Sequence, residues 1–240
     1  MPIKNNSVRA NSAKVIFYIM MMMSIISLYS DYLQYQLLNS AEAGIPISED
    51  YANSNDTRQR IIGIVSIIVA IASIIIFIMW FYRAYKNLHA LKIPSLNHTP
   101  GWAIGAWFVP ILNLGRPYVI MREIWDETQY FVLDKNEKQN VSSNSIVGWW
   151  WGLWLLHNFS GRIYARIASG ATTIAELKTS TGVAIIIELI EMVTMIVTLM
   201  MLNRMFDYEN KFFEFVSNQR SQPLSGEKIV SPQSMDVTGI

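Results

Sequence analysis

Apolar and polar positions along the chain fall into long blocks. "VIFYIMMMMSIISLYS" (15–30) continues weakly to Leu38, and "IIGIVSIIVAIASIIIFIMWFY" (61–82) carries no charge. "IVGWWWGLWLLH" opens a third block at residue 146, and "VAIIIELIEMVTMIVTLMML" (183–202) is broken only by Glu188 and Glu191. A helix needs about 20 apolar residues to cross ~30 Å of hydrocarbon. The blocks therefore predict an all-α polytopic membrane protein with four transmembrane helices, at about 15–38, 61–82, 146–168 and 183–202. The first block could be a cleaved leader, since its flank is basic and "AEA" (41–43) resembles a cleavage site. It is longer than the ~7–15 residues usual for such a leader, and the site lies well past its end, so we read it as a retained helix.

A fifth apolar block, "GWAIGAWFVPILNLGRPYVIM" (101–121), is long enough to cross but carries Pro110, Asn113, Arg116 and Pro117. Charge separates the two topologies, because Lys and Arg concentrate in cytoplasmic segments. If 101–121 does not cross, fourteen of the nineteen basic residues lie inside with both termini, and five lie outside. If it crosses, the basic residues divide almost evenly. Tryptophan, which favours the interface, agrees: without the fifth crossing all eight tryptophans fall near the cytoplasmic leaflet. Tyr29, Tyr32 and Tyr35 then mark the opposite side. The segment 101–128 is therefore expected to be a re-entrant or interfacial element, with a kinked fifth span as the alternative. Each proline removes a backbone donor, and Asn113 and Arg116 are candidates to satisfy the released carbonyls. Beyond Pro117, Tyr118, Met121 and Trp125 share one helical face. Arg122, Glu123, Asp126 and Glu127 share the other, an amphipathic pattern suited to a membrane surface. The three acids read as a solvated face, with a cation site as the alternative.

The block "GWAIGAWFVPILNLGRPYVIMREIW", followed by "WWWGLWLL", resembles the hallmark of a bacterial membrane family, the domain-of-unknown-function family 4328. The resemblance covers roughly residues 60–205 and rests on Trp107, Pro110, Asn113, Pro117, Glu123, Trp125 and the tryptophan cluster. Gly115 stands where a bulkier residue is expected. The resemblance implies a multi-helix membrane protein and supplies no activity, substrate or catalytic residue.

Ionisable residues within spans are costly and carry a functional hypothesis by default. Glu188 and Glu191 share a face of the last span, and Arg162 and Arg166 share a face of the preceding one if it continues through "NFSGRIYARIASG". Counting equally outward from a turn near residue 176 predicts Arg162–Glu191 and Arg166–Glu188 pairs, with Asp31 nearby. Such pairs would fix helix register, or would line a path for protons or ions. In the second span Gly63, Ser66, Ala70 and Ser73 recur every three or four residues, a stripe that lets helices approach closely in lipid. "NSND" (53–56) is a candidate helix start.

Cysteine is absent, which excludes disulfides and thiol chemistry. No metalloprotease, nucleophile-elbow or phosphate-loop motif occurs, and His89, His98 and His157 are widely separated. The sequence points to no enzyme, catalytic residue, cofactor or metal, and no basic block suggests nucleic acid. The expected organisation is a cytoplasmic N-terminal segment (1–14), one transmembrane helical domain (15–218) and a disordered cytoplasmic tail (219–240). The expected location is the cytoplasmic membrane. The leading functional expectation is a non-enzymatic membrane component that binds membrane lipids, a protein partner or a second copy of itself. Its candidate contact residues are Trp107, Pro110, Asn113, Arg116, Pro117, Arg122, Glu123 and Trp125. The alternative is a small transporter or channel using Arg162, Arg166, Glu188 and Glu191.

Overall fold

The computed structural model describes residues 3–133 and 142–221. The described residues are all-α: α1 (Ser7–Glu42), α2 (Glu49–Ala90), the single turn α3 (Trp102–Gly105), α4 (Arg116–Val132), α5 (Ser145–Gly170) and α6 (Ile174–Ser221). A short 3-10 turn, Leu112–Leu114, precedes α4. At 1.5 Å per residue, the 36, 42 and 48 residues of α1, α2 and α6 make rods of roughly 50–70 Å, far longer than a hydrocarbon core. The last predicted span thus continues unbroken into the aromatic and charged stretch 203–221. The tail expected from residue 219 lies, beyond Ser221, outside the described residues.

Among the described residues three helices, not four, are long and apolar enough to cross a membrane: α1, α2 and α6. The predicted third span is a continuous helix, α5, but its apolar run is diluted. Trp149–Trp151 and Trp154 are only weakly hydropathic, and His157, Asn158, Arg162 and Arg166 follow within the same 26 residues. The start of α2 is also earlier than "NSND" suggested. Ser48 caps it by accepting from the Tyr51 amide, 3.3 Å, and Glu49 and Asp50 in the first turn suit the positive end of the helix dipole. Asn55, from within "NSND", instead donates to Gln34 of α1. At the other end Lys92, at φ +56°, takes the left-handed conformation that ends the helix and releases the connector to α3. The α6 start is a capping box. The Thr173 hydroxyl accepts from the Glu176 amide at 3.3 Å, and the Glu176 carboxylate accepts from the Thr173 amide at 2.9 Å.

The long helices run antiparallel in sequence neighbours, α1 against α2 and α5 against α6, with α1 also packed along α6. The connector, α3 and α4 pack at the end of the bundle where α1 begins and α2 finishes. There the fully buried side chains concentrate: Trp80, Phe81, Tyr85 and Leu88 of α2, Ile120, Ile124 and Trp125 of α4, and Leu202 and Met205 of α6. Away from this end the helices expose aliphatic flanks, as with Ile64, Ile67, Ile68, Ile71, Ile74 and Ile75 of α2. A continuous apolar flank of this kind suits lipid and not water.

Near this junction the chain start is tied to both long helices. The Asn6 amide donates to the Glu209 carboxylate at 2.9 Å, and the Trp80 indole donates to its other oxygen at 2.8 Å. Lys4 and Asn87 exchange two further bonds, 3.0 and 2.8 Å. Losing an acceptor strands its donors at about 1–3 kcal/mol per buried group. Glu209→Ala is therefore expected to lower unfolding stability in detergent by a few kcal/mol, with Glu209→Gln intermediate because one oxygen remains. An alanine variant as stable as the parent in denaturant titration would remove the junction from the account.

Candidate functional site

The predicted element 101–128 comprises two parts with different roles. α4 is amphipathic as expected, but its apolar face is spent inside the protein, against α2 and α6. Trp125 and Met121 are fully buried, Pro117 is buried at the first turn of α4, and Tyr118 is half-buried. The Trp125 indole donates to the Ser142 carbonyl at 3.1 Å, and its ring meets Tyr208 edge-on at 5.4 Å. The anchoring expected of Trp125 is therefore anchoring to the bundle.

Glu123 is not on a solvated face. It is 6 % exposed, and its carboxylate accepts from the Tyr85 hydroxyl at 2.6 Å, the Asn97 side-chain amide at 2.6 Å and the Asn97 backbone amide at 3.2 Å. The same hydroxyl accepts from the His98 amide at 3.2 Å. This knot joins α2, the connector and α4. Sequence reading placed Glu123 with Arg122, Asp126 and Glu127 by helical angle alone, and the connector folding over that angle was not visible to it. Arg122 does stay exposed and lies over the Tyr118 ring at 5.9 Å. Asp126 is half-buried; burial lifts its carboxyl above the ordinary range, partly offset by the Asn144 amide at 3.2 Å and the nearby Arg122.

The second part, 102–115, is a string of single turns. Pro110 interrupts it, and the chain re-forms a bond from the Asn113 amide to the Val109 carbonyl at 2.8 Å. The expected rescue of free carbonyls by Asn113 and Arg116 is not what the structure shows. The Leu114 carbonyl is satisfied by the Trp151 indole of α5 at 3.2 Å. The Arg116 guanidinium stacks over Trp102 at 4.0 Å. Outward, this part presents Phe108 (71 % exposed), Ile111 (82 %) and Leu114 (51 %). Inward it presents Trp107, which meets Phe77 at 5.8 Å, Phe81 at 6.0 Å and Trp154 at 5.6 Å, all close to edge-on. Trp107 thereby bridges α2 and α5.

Above this aromatic bridge lies a cavity of about 410 Å³, walled by all four long helices and by Trp107, Phe108 and Asn113. Ser73 and Ala70 of the small-residue stripe form part of its wall, while Gly63 at the stripe's other end is exposed with no atom near its Cβ position. The stripe therefore opens space instead of closing a tight helix crossing. His157, Asn158 and Glu191 also line the cavity. Trp107 Nε1, Asn113 Oδ1 and His157 Nδ1 are buried polar atoms without a partner. An unpaired buried group costs about 1–3 kcal/mol, so the wall holds unused bonding capacity.

The predicted Arg–Glu pairs do not form: no ion pair within 4 Å links Arg162 or Arg166 to Glu188 or Glu191. Both arginines are exposed on the outer side of α5, and Arg162 lies over Phe159 at 5.7 Å. Counting from the turn set the height of these residues along α5 but not their rotation about it. His157 and Tyr164 occupy the inward face instead, His157 beside Glu191 and Tyr164 beside Glu188 and Asp31. Ser24 of α1 lies against both glutamates. The cavity role of His157 was missed because a single histidine in a helix reads as structural. The i, i+4 spacing of Trp150 and Trp154, with His157 one turn on, was the signal available.

If the Glu123 knot positions the connector, Glu123→Leu strands the Tyr85 hydroxyl and the Asn97 amide. Amide hydrogen exchange across residues 91–101 should then accelerate at least tenfold, with Glu123→Gln less affected. Unchanged exchange in the leucine variant would show that packing alone holds the connector.

A family model, the domain of unknown function DUF4328, matches residues 43–206. Neither the curated proteins nor the solved structures hold a match to this chain. The family match takes in α2, the Glu123 knot, the 102–115 turns, the tryptophan cluster and most of α6, more than half of the sequence. The chain is a member of the DUF4328 family.

Proposed function

We propose that the chain is a four-span protein of the cytoplasmic membrane, with both termini inside. Its 102–115 turns sit in the cytoplasmic leaflet, and it acts as a non-enzymatic component that binds lipid-phase molecules there. The observation that carries this reading is the outward set Phe108, Ile111 and Leu114, with Phe108 bordering the same cavity as the exposed Ile74 of the α2 flank. Three such side chains on one short hairpin would be unfavourable in water, at about 25 cal/mol per Å² of apolar surface, and cost nothing in hydrocarbon. Irregular backbone is tolerated at membrane depth where protein buries it, and Trp107 and Trp151 hold this segment against the bundle.

Arg116 follows the apolar tip directly but is held against Trp102, while Arg122, less than two turns on, is exposed and free to reach outward. A long basic side chain in the position of Arg122 reaches the headgroup layer while its stem stays in apolar surroundings. α5 completes the even number of crossings, its tryptophans at the cytoplasmic interface and its two arginines toward the opposite one. The charge bias supports the same orientation.

The absence of cysteine makes a direct depth measurement possible. A nitroxide attached at Ile111→Cys in reconstituted vesicles should be relaxed strongly by oxygen and weakly by a water-soluble nickel chelate. A label at Arg122→Cys should show the reverse. An Ile111 label as accessible to the nickel chelate as the Arg122 label would place the tip in water and end the reading.

A further inference from the structure

The cavity above Trp107 has a composition that selects a ligand class. Its volume falls in the range of small-molecule sites, about 300–1,000 Å³, and it reaches the protein surface at Phe108 and Ile74, both exposed. Its wall contains six aromatic rings, among them Phe77, Trp107, Trp150 and Trp154. It contains one carboxylate, Glu191, and no lysine or arginine. Arg162 and Arg166, the bases expected to neutralise Glu191 and Glu188, face outward on α5. An anionic headgroup would meet a carboxylate with no lysine or arginine in the wall, only the His157 imidazole beside Glu191, so phosphate- or carboxylate-bearing lipids match this wall poorly. A plain acyl chain would use the rings but bring no positive charge to Glu191.

We propose that this cavity is a binding site for lipophilic organic cations, which enter from the cytoplasmic leaflet past Phe108. Aromatic faces attract a cation through the ring quadrupole, most strongly where water is excluded. Glu191 supplies the counter-charge, and Asn113 and His157 each add a nitrogen or oxygen that accepts a hydrogen bond or turns its dipole toward positive charge. Delocalised or shielded cations suit the site, since they shed hydration at small cost. Trp107 is part of the wall, and its ring bridges α2 and α5 beside the cavity. The inference rests on the membrane reading above and names the ligand class of the same region.

Two probes of matched shape and opposite charge test it: tetraphenylphosphonium and tetraphenylborate. Equilibrium dialysis against the purified full chain in detergent at pH 8 should show saturable binding of the phosphonium at one site per chain. Binding of the borate should be non-saturable. Glu191→Gln should weaken the phosphonium at least tenfold, and Ala70→Phe, which fills the cavity without touching its polar groups, should abolish saturation. Tryptophan emission, quenched on binding in the parent, should respond in parallel. Equal binding of both probes, or phosphonium binding indifferent to both substitutions in folded protein, would overturn the proposal. If the glutamine variant fails to fold, the Ala70→Phe result alone decides. A null result here with an Ile111 label deep in lipid would leave the membrane reading intact and remove only the ligand class.

Discussion

The buried carboxylate of Glu123 is the contact on which the architecture of this end of the bundle depends. It gathers Tyr85 from the end of α2 and Asn97 from the connector onto α4. Those two bonds decide where the chain goes after leaving α2. They fold the connector back along the bundle, so the 102–115 turns must lie across the end of α2 and α5. Trp107 can then reach Phe77, Phe81 and Trp154 at once. A buried carboxylate is tolerable only when its lone pairs are used, and the three donors at 2.6–3.2 Å meet that demand. The aromatic bridge, and the cavity above it, follow from this placement.

The bundle is built under two different driving forces. At the junction the interior is dense, with Trp80, Phe81, Tyr85, Ile120 and Trp125 excluded from solvent, and burial from water can contribute fully. Along the apolar lengths of α1, α2 and α6 the surroundings on the proposed reading are as apolar as the side chains. Helix association there has to come from packing and interhelical hydrogen bonds. Just ahead of the apolar block of α2, Ser30 with Arg58 and Gln59, and Asn55 with Gln34, provide such bonds between α1 and α2; within the block itself packing carries the association. Between α2 and α5 the described bridges are Trp107 and the Phe77–Trp150 contact at 6.0 Å, and a cavity remains beside them. Its small residues, Ala70 and Ser73, keep it open where larger ones would fill it.

Much of this was legible in the sequence, and the misses share a cause. Block hydropathy located every long helix, and "GWAIGAWFVPILNLGRPYVIMREIW" carried the family. What periodicity gives is a residue's height and angle on its own helix. It does not say what packs against that angle. Glu123 was read as solvated because the connector that covers it has no periodic pattern. Arg162 and Arg166 were paired with Glu191 and Glu188 because height was counted and rotation about α5 was not. Conversely, the apolar face of α4 was correctly found, but its neighbour is protein, and the outward apolar surface comes from the irregular turns before it. Tryptophan misled in one respect: weighed for its interface preference, it adds little hydropathy, so α5 falls short of the other long helices as a span.

On the proposed topology the segment between α2 and α5 enters and leaves on one side of the membrane. The most direct test is a single cysteine at Asn136, between α4 and α5, in an otherwise cysteine-free chain. An impermeant thiol reagent should fail to label it in intact cells and label it fully after permeabilisation. Labelling in intact cells would mean that 101–121 crosses the bilayer, which contradicts both the topology and the placement of the 102–115 turns in the cytoplasmic leaflet.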